Sequence, residues 1–119
     1  MSQKLEYFRV ERQNGVTIVT PIVSDFRDEA INFESKKELV QFVDSVRPEK
    51  VVVDFRNVHS FSTDFVGTLL SLKKRIPPGG AVKLCSLQPV HREIFQIFHL
   101  EGTVFPILET VQDAMQSFT

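Results

Sequence analysis

Residues 51–54, with the sequence VVVD, limit most strongly what this chain can fold into. Three adjacent β-branched residues cannot alternate between an inner and an outer face, so they predict a strand that is covered on both faces. Such strands are typical of parallel sheets flanked by helices. The period then changes, because Phe65, Leu69, Leu72 and Ile76 follow at helical spacing. The sequence therefore predicts a buried strand followed by an amphipathic helix.

The segment between this strand and this helix contains Ser62, Thr63 and Asp64. All three are residue types that cap helices by accepting hydrogen bonds from unpaired amide N–H groups. The buried strand thus leads into a loop that presents two hydroxyl groups at the positive end of a helix. Nowhere else in the sequence do the predicted fold and reactive side chains coincide.

The part of the chain before the valine strand predicts a hairpin and a helix. Residues 7–12 roughly alternate apolar and charged side chains, and Asn14-Gly15 is a strong turn signal before the apolar run 16–20. These features indicate an antiparallel hairpin. The spacing of Ser35 and Glu38 fits a capping box, which predicts that the first helix begins there, with Asn32 as an alternative cap.

Beyond the second helix, residues 77–80 (PPGG) break the chain, and a strand is predicted over residues 81–87. A third helix is expected from Pro89 onwards, and a short strand over 104–108, at a sheet edge because it contains a proline. For the third helix we expect an apolar inner face made by Val90, Ile94, Ile97 and Phe98. A last apolar stripe predicts a short C-terminal helix.

The predicted fold class is therefore α/β, a single domain over residues 1–119. Its central sheet is mixed, with an N-terminal hairpin plus parallel strands, and about four α-helices flank it.

The formal net charge is −1, from 14 basic and 15 acidic residues, which predicts no general attraction to nucleic acid or to membranes. The single cysteine, Cys85, allows no internal disulfide, and charged residues interrupt the N-terminal twenty positions. We expect a cytoplasmic protein.

One stretch resembles a known family. The pattern Val58-x-x-x-Ser62-Thr63-x-x-Val66-Gly67 after a valine strand is similar to the signature loop of STAS domains, the fold of bacterial anti-sigma-factor antagonists. The second half of the chain agrees in register, and the resemblance covers roughly residues 8–118. It implies that a Ser or Thr at the start of the helix after the third strand is phosphorylated by a partner kinase. Alignment on Gly67 puts Thr63 at that position, with Ser62 as the second choice.

The resemblance implies a non-enzymatic regulatory module that acts by partner switching in bacterial transcription. Its partner would be an anti-sigma factor of the ATP-binding serine-kinase type, and docking would release a sigma factor. We expect no cofactor and no metal, and neither nucleic acid nor membrane as a partner; a homodimer is left open. The predicted partner-binding surface consists of Ser60, Phe61, Ser62, Thr63, Asp64 and Phe65.

Several alternatives remain open at this stage. The chain is also consistent with a STAS scaffold that is never phosphorylated, or with a STAS domain that binds a small ligand, and Ser62 and Thr63 can be helix caps and nothing more. An aspartate at the end of a strand, as at Asp54, is also a feature of receiver domains. The acidic pair and the lysine that those domains need are missing from this sequence. No Gly-x-Ser-x-Gly motif marks a serine hydrolase, and the three histidines lack ligand spacing.

Overall fold

The computed structural model describes residues 2–119. The helices in this range are α1 (Glu29–Val46), α2 (Thr63–Arg75), α3 (Pro89–Ile97) and α4 (Val111–Gln116). The strands are β1 (Ser2–Lys4), β2 (Phe8–Gln13), β3 (Val16–Pro21), β4 (Asp25–Phe26), β5 (Lys50–Asp54), β6 (Ser60–Phe61), β7 (Ala81–Cys85) and β8 (Ile107–Leu108).

Six of the strands form one mixed sheet in the order β1-β2-β3-β5-β7-β8. β1, β2 and β3 pair antiparallel, and β3, β5, β7 and β8 pair parallel. The β2–β3 turn places Asn14 at φ 52° and Gly15 at φ 79°, the two positive angles that a tight hairpin turn requires. The predicted α/β class, the hairpin and the helix number are confirmed. β8, which follows Pro106, lies at the sheet edge, as predicted.

The valine strand β5 lies inside the sheet and is covered on both faces. Val51 and Val53 point into the main core, while Val52 packs on the opposite face in a smaller cluster that includes Cys85 and Ala114 of α4. All three valines are at most 1% exposed. The prediction of a doubly covered strand is therefore confirmed.

The predicted start of the first helix is wrong. α1 begins at Glu29, and the Asp28 side chain caps it by accepting a hydrogen bond from the Ile31 amide at 3.0 Å. Ser35 is fully buried inside the helix. The Glu38 carboxylate accepts hydrogen bonds from the backbone N–H groups of residues 6 and 7, at 3.0 and 2.9 Å, instead of capping its own helix. The Glu38 carboxylate, which the sequence predicted as part of a capping box, therefore links α1 to the N-terminal segment.

The predicted inner face of the third helix is wrong at three of its four positions, since only Ile94 packs against the core. Val90, Ile97 and Phe98 are 57%, 71% and 48% exposed. The side chains of α3 that face the core are His91 and Phe95, one helical turn apart. The apolar spacing in the sequence thus identifies a helix but selects a face rotated away from the core.

No helix within residues 2–119 has both the length and the apolar character needed to cross a membrane.

Candidate functional site

The residues singled out by the sequence lie in the β6–α2 segment, residues 60–65, directly after the loop that leaves β5. β6 pairs in parallel with β4, so that Phe61 lies opposite Phe26. The Ser24 carbonyl accepts hydrogen bonds from the His59 and Ser60 amides at 2.8 and 3.2 Å. These backbone bonds fix the position and direction of the chain as it enters α2.

The two hydroxyl groups of the segment have different environments. Ser62 occupies the N-cap position with an extended backbone, yet its side chain makes no capping hydrogen bond. Its Oγ donates instead to the Phe26 carbonyl at 3.3 Å. Thr63 is the first residue of α2; its side chain is exposed and makes no hydrogen bond to another group in the described part of the chain. Of the two candidates, Thr63 presents the accessible hydroxyl.

The first turn of α2 carries one acidic side chain, that of the exposed Asp64. A carboxylate there is favoured by the partial positive charge of the helix end. The Phe65 amide donates to the Ser62 carbonyl at 3.1 Å, which closes the first turn through the backbone. The start of the helix therefore forms without any side-chain cap.

Phe65 belongs to the core and not to the surface. Its side chain is 0% exposed and packs in an aromatic cluster, with ring centroids 4.3 Å from Phe26 and 5.8 Å from both Phe55 and Phe61. The prediction that Phe65 contacts a partner directly is not supported, because a fully buried side chain offers no area for contact. The buried Phe65 ring therefore anchors the β6–α2 segment to the core.

An apolar surface borders the exposed hydroxyl of Thr63. Four side chains form it, and we call it the α3 patch: Phe61, Ile94, Ile97 and Phe98. Together with Ser62 and Thr63 they line a shallow depression of about 300 Å³. Contiguous exposed apolar side chains of this kind are candidates for an interaction site. Sequence reasoning missed this surface, because it assigned the same α3 residues to the core.

His91 lies behind the α3 patch. It is 6% exposed, its ring centroid lies 4.8 Å from that of Phe61, and its Nδ1 atom has no hydrogen-bond partner among residues 2–119. Burial lowers the pKa of the His91 imidazole, an effect that the nearby backbone of His59 partly opposes. The uncharged ring therefore acts as part of the packing beneath Phe61.

We expect the stability of the protein to fall as the pH drops below the ordinary histidine value of about 6.5. Since the folded state disfavours the charged His91 ring, the unfolded state binds more protons in this range, and protonation favours unfolding. Denaturant unfolding between about pH 5 and 8 measures this loss. His91→Gln should flatten the decline, because it removes the group whose charged form the folded state disfavours. An identical pH profile for His91→Gln and the wild type would contradict this assignment.

A polar cleft of about 680 Å³ lies between α4 and the strands β2 and β3, where α4 leaves the sheet uncovered. At its floor the buried carboxylate of Asp54 accepts hydrogen bonds from the backbone N–H and the Nε of Arg56. The charge of Asp54 is thus paired within the fold. In the described part of the chain, no group of three His, Cys, Asp or Glu side chains is arranged to hold a metal ion.

The chain belongs to the STAS domain family, whose model matches residues 7–114. No curated protein sequence matches it.

Solved structures with the same fold include several anti-sigma factor antagonists. A STAS-domain anti-sigma-factor antagonist from Planctomyces limnophilus is 25% identical, with a TM-score of 0.81 over 94% of this chain and 97% of that one. A Thermotoga maritima protein assigned as an anti-sigma factor antagonist is 19% identical, with a TM-score of 0.80 over 94% of both chains. The anti-sigma factor antagonist of Mycobacterium paratuberculosis is 20% identical, with a TM-score of 0.78 over 92% and 91%.

Proposed function

We propose that this protein is an anti-sigma-factor antagonist that docks onto an anti-sigma factor through the β6–α2 segment and the α3 patch, and that phosphorylation of Thr63 ends the docking. The protein itself catalyses no reaction in this scheme and acts in the bacterial cytoplasm. The observation that carries the proposal is the position of the exposed Thr63 hydroxyl at the border of an exposed apolar surface.

The α3 patch supports the docking half of the proposal. Ile97 and Phe98 are 71% and 48% exposed, which costs solvation free energy in the free protein and favours burial against another surface. The centre of a typical protein interface is apolar and is surrounded by polar groups. Polar groups on the α2 side of the patch come from Ser60, Ser62, Thr63 and Asp64. These four residues therefore remain in the proposed interface.

The environment of Thr63 supports the switching half. A phosphate on this hydroxyl adds about −1.5 to −2 charges at neutral pH, and the adjacent helix end stabilises negative charge by ~0.3–1 kcal/mol. The fold should therefore accept the modification. The partner, in contrast, would have to bury a doubly charged group beside the α3 patch and next to Asp64. One related structure, 15% identical with a TM-score of 0.68, is the phosphorylated form of Bacillus SpoIIAA.

The partner we propose is an anti-sigma factor of the ATP-binding serine-kinase type. Such a partner contains both activities that the scheme needs, since it binds the unmodified surface and transfers phosphate to Thr63. Release of the sigma factor would follow, because the antagonist and the sigma factor compete for the anti-sigma factor. Co-purification from the native cytosol, followed by mass analysis, identifies the partner and any phosphate adduct.

With the purified partner, Ile97→Glu should weaken binding by about 30-fold or more, the effect expected when a central apolar contact of about 2 kcal/mol is lost. The fold should be unaffected because Ile97 is largely exposed. Titration calorimetry with the wild type and the variant measures the change.

Phe33→Ser is the matched control, because Phe33 is 66% exposed on α1 and lies outside the α3 patch. It should bind like the wild type. If Ile97→Glu also binds like the wild type, the α3 patch is not the docking surface. Self-association of the protein with no kinase partner would favour the STAS scaffold instead.

A further inference from the structure

The side chain of Asn32, in α1, lies next to Ser62 at the start of α2. Its side chain is 4% exposed, and its Nδ2 donates to the carbonyls of Phe26 and Asp28 at 2.7 and 3.0 Å. The same nitrogen lies 3.5 Å from Ser62 Oγ. Its Oδ1 is buried without a hydrogen-bond partner among residues 2–119. Burial of an unpaired polar atom is unfavourable, so helix packing alone does not explain an asparagine at this position.

The Ser62 hydroxyl lies between the Phe26 carbonyl and the side chain of Asn32. Ser62 Oγ donates its proton to the Phe26 carbonyl at 3.3 Å. Asn32 Nδ2, whose two N–H groups donate to the Phe26 and Asp28 carbonyls, lies 3.5 Å from the same oxygen. The Phe26 carbonyl is fixed in turn, since it also accepts from Asn32 and from the Ser62 amide at 3.2 Å. The Ser62 hydroxyl is therefore part of a closed network, and the adjacent Thr63 hydroxyl is not.

Phosphorylation requires a hydroxyl with an accessible lone pair. The acceptor oxygen attacks the γ-phosphorus of ATP, a new oxygen–phosphorus bond forms, the bond to the β-phosphate oxygen breaks, ADP leaves, and a base of the kinase takes the hydroxyl proton. Ser62 is half-buried and its oxygen faces Asn32, whereas the Thr63 side chain faces solvent. Thr63 therefore meets this geometry better than Ser62 while the network of Asn32 is intact.

We propose that Asn32 is a positioning residue that directs phosphoryl transfer to Thr63 by holding the Ser62 hydroxyl inside the fold. This inference rests on the proposed function, because it concerns the choice between two hydroxyls of the same site. It also accounts for the absence of a side-chain cap on α2: Ser62 has the residue type and the backbone of a cap, but its oxygen is held elsewhere.

The test is to map phosphate after incubation with ATP and the purified kinase-type partner. Asn32→Ala removes the network, and Asn32→Leu removes it while filling the space, in case the alanine variant is unstable. Ser35→Ala is the matched control, since Ser35 is a fully buried polar residue of the same helix that bonds only to the Asn32 carbonyl, at 3.3 Å. Circular dichroism establishes that each variant is folded.

In the wild type and in Ser35→Ala, nearly all phosphate should be on Thr63, with only a small share on Ser62. In the Asn32 variants the share on Ser62 should rise by about tenfold, the factor that corresponds to one lost hydrogen bond. In a Thr63→Ala background, the rate of labelling at Ser62 should rise by the same factor when Asn32 is replaced. If folded Asn32 variants carry phosphate only on Thr63, the proposed role of Asn32 is wrong, and the proposed function is unaffected. Absence of phosphate from every protein would overturn the proposed function and, with it, this inference.

Discussion

Val52→Asp should prevent folding. Val52 is 0% exposed and lies in the small cluster under α4. The Lys83 ammonium, on the strand position opposite Val52, is already bonded to the carbonyl and hydroxyl of Ser117. An isolated buried carboxylate costs several kcal/mol, comparable with a total domain stability of about 5–15 kcal/mol. Far-UV circular dichroism and thermal unfolding measure the outcome.

Lys50→Asp is the control for this substitution, because Lys50 begins the same strand but is exposed. It should fold with a melting temperature close to that of the wild type. A well-folded Val52→Asp protein with a near-native melting temperature would show that β5 is not the centre of the fold.

Thr63→Glu should reduce the affinity for the kinase-type partner substantially while leaving the fold intact. A charged group at this position must be desolvated beside the α3 patch and next to Asp64. The full effect of a phosphate should be on the order of 2–4 kcal/mol, or about 30- to 1,000-fold in affinity, and glutamate should reproduce it in part. Thr63→Ala should bind like the wild type and be unable to switch. Titration of the partner with each variant measures both effects.

Ser62→Ala is the control for the neighbouring hydroxyl. Since Ser62 Oγ bonds inward to the Phe26 carbonyl, its loss should affect binding much less than a charge at Thr63. Equal affinities for the wild type and Thr63→Glu would argue against the switch and leave the scaffold or small-ligand alternatives.

Features that depend on local chemistry could be predicted from the sequence. The valines 51–53 predicted a doubly covered strand because three adjacent residues of a strand cannot all point to the same face. Asn14-Gly15 predicted the hairpin turn because those residue types tolerate positive φ. Thr110 is of a residue type that caps helices, and its Oγ1 accepts from the Asp113 amide at 3.0 Å. In each case a residue and its near neighbours decide the structure.

Features that depend on distant partners could not be predicted. Glu38 resembled the end of a capping box, but its carboxylate bonds to residues 6 and 7, more than thirty positions away. Ser62 resembled a cap, but Phe26 binds its hydroxyl across a separation of 36 residues. The outward face of α3 is likewise set by tertiary packing, since Phe95 packs between Phe55 and Phe105.

The candidate site was predicted only in part. The resemblance to STAS domains pointed to Thr63, and the exposed position of this residue at the start of α2 is consistent with that choice. The α3 patch could not be inferred, because the exposure of an apolar residue on an amphipathic helix depends on how the helix is rotated against the sheet. Neither could the contact of Asn32 with Ser62, which lies 30 residues away in the sequence.

The most direct test of the proposed switch compares the unmodified protein with protein that carries a phosphate only on Thr63. Both are titrated into the purified anti-sigma factor, and intact mass with fragment mapping establishes the position of the phosphate. We predict that the phosphorylated protein retains its circular dichroism spectrum and binds about 30- to 1,000-fold more weakly. Equal affinity of the two forms, or a partner that never transfers phosphate to Thr63, would contradict the account.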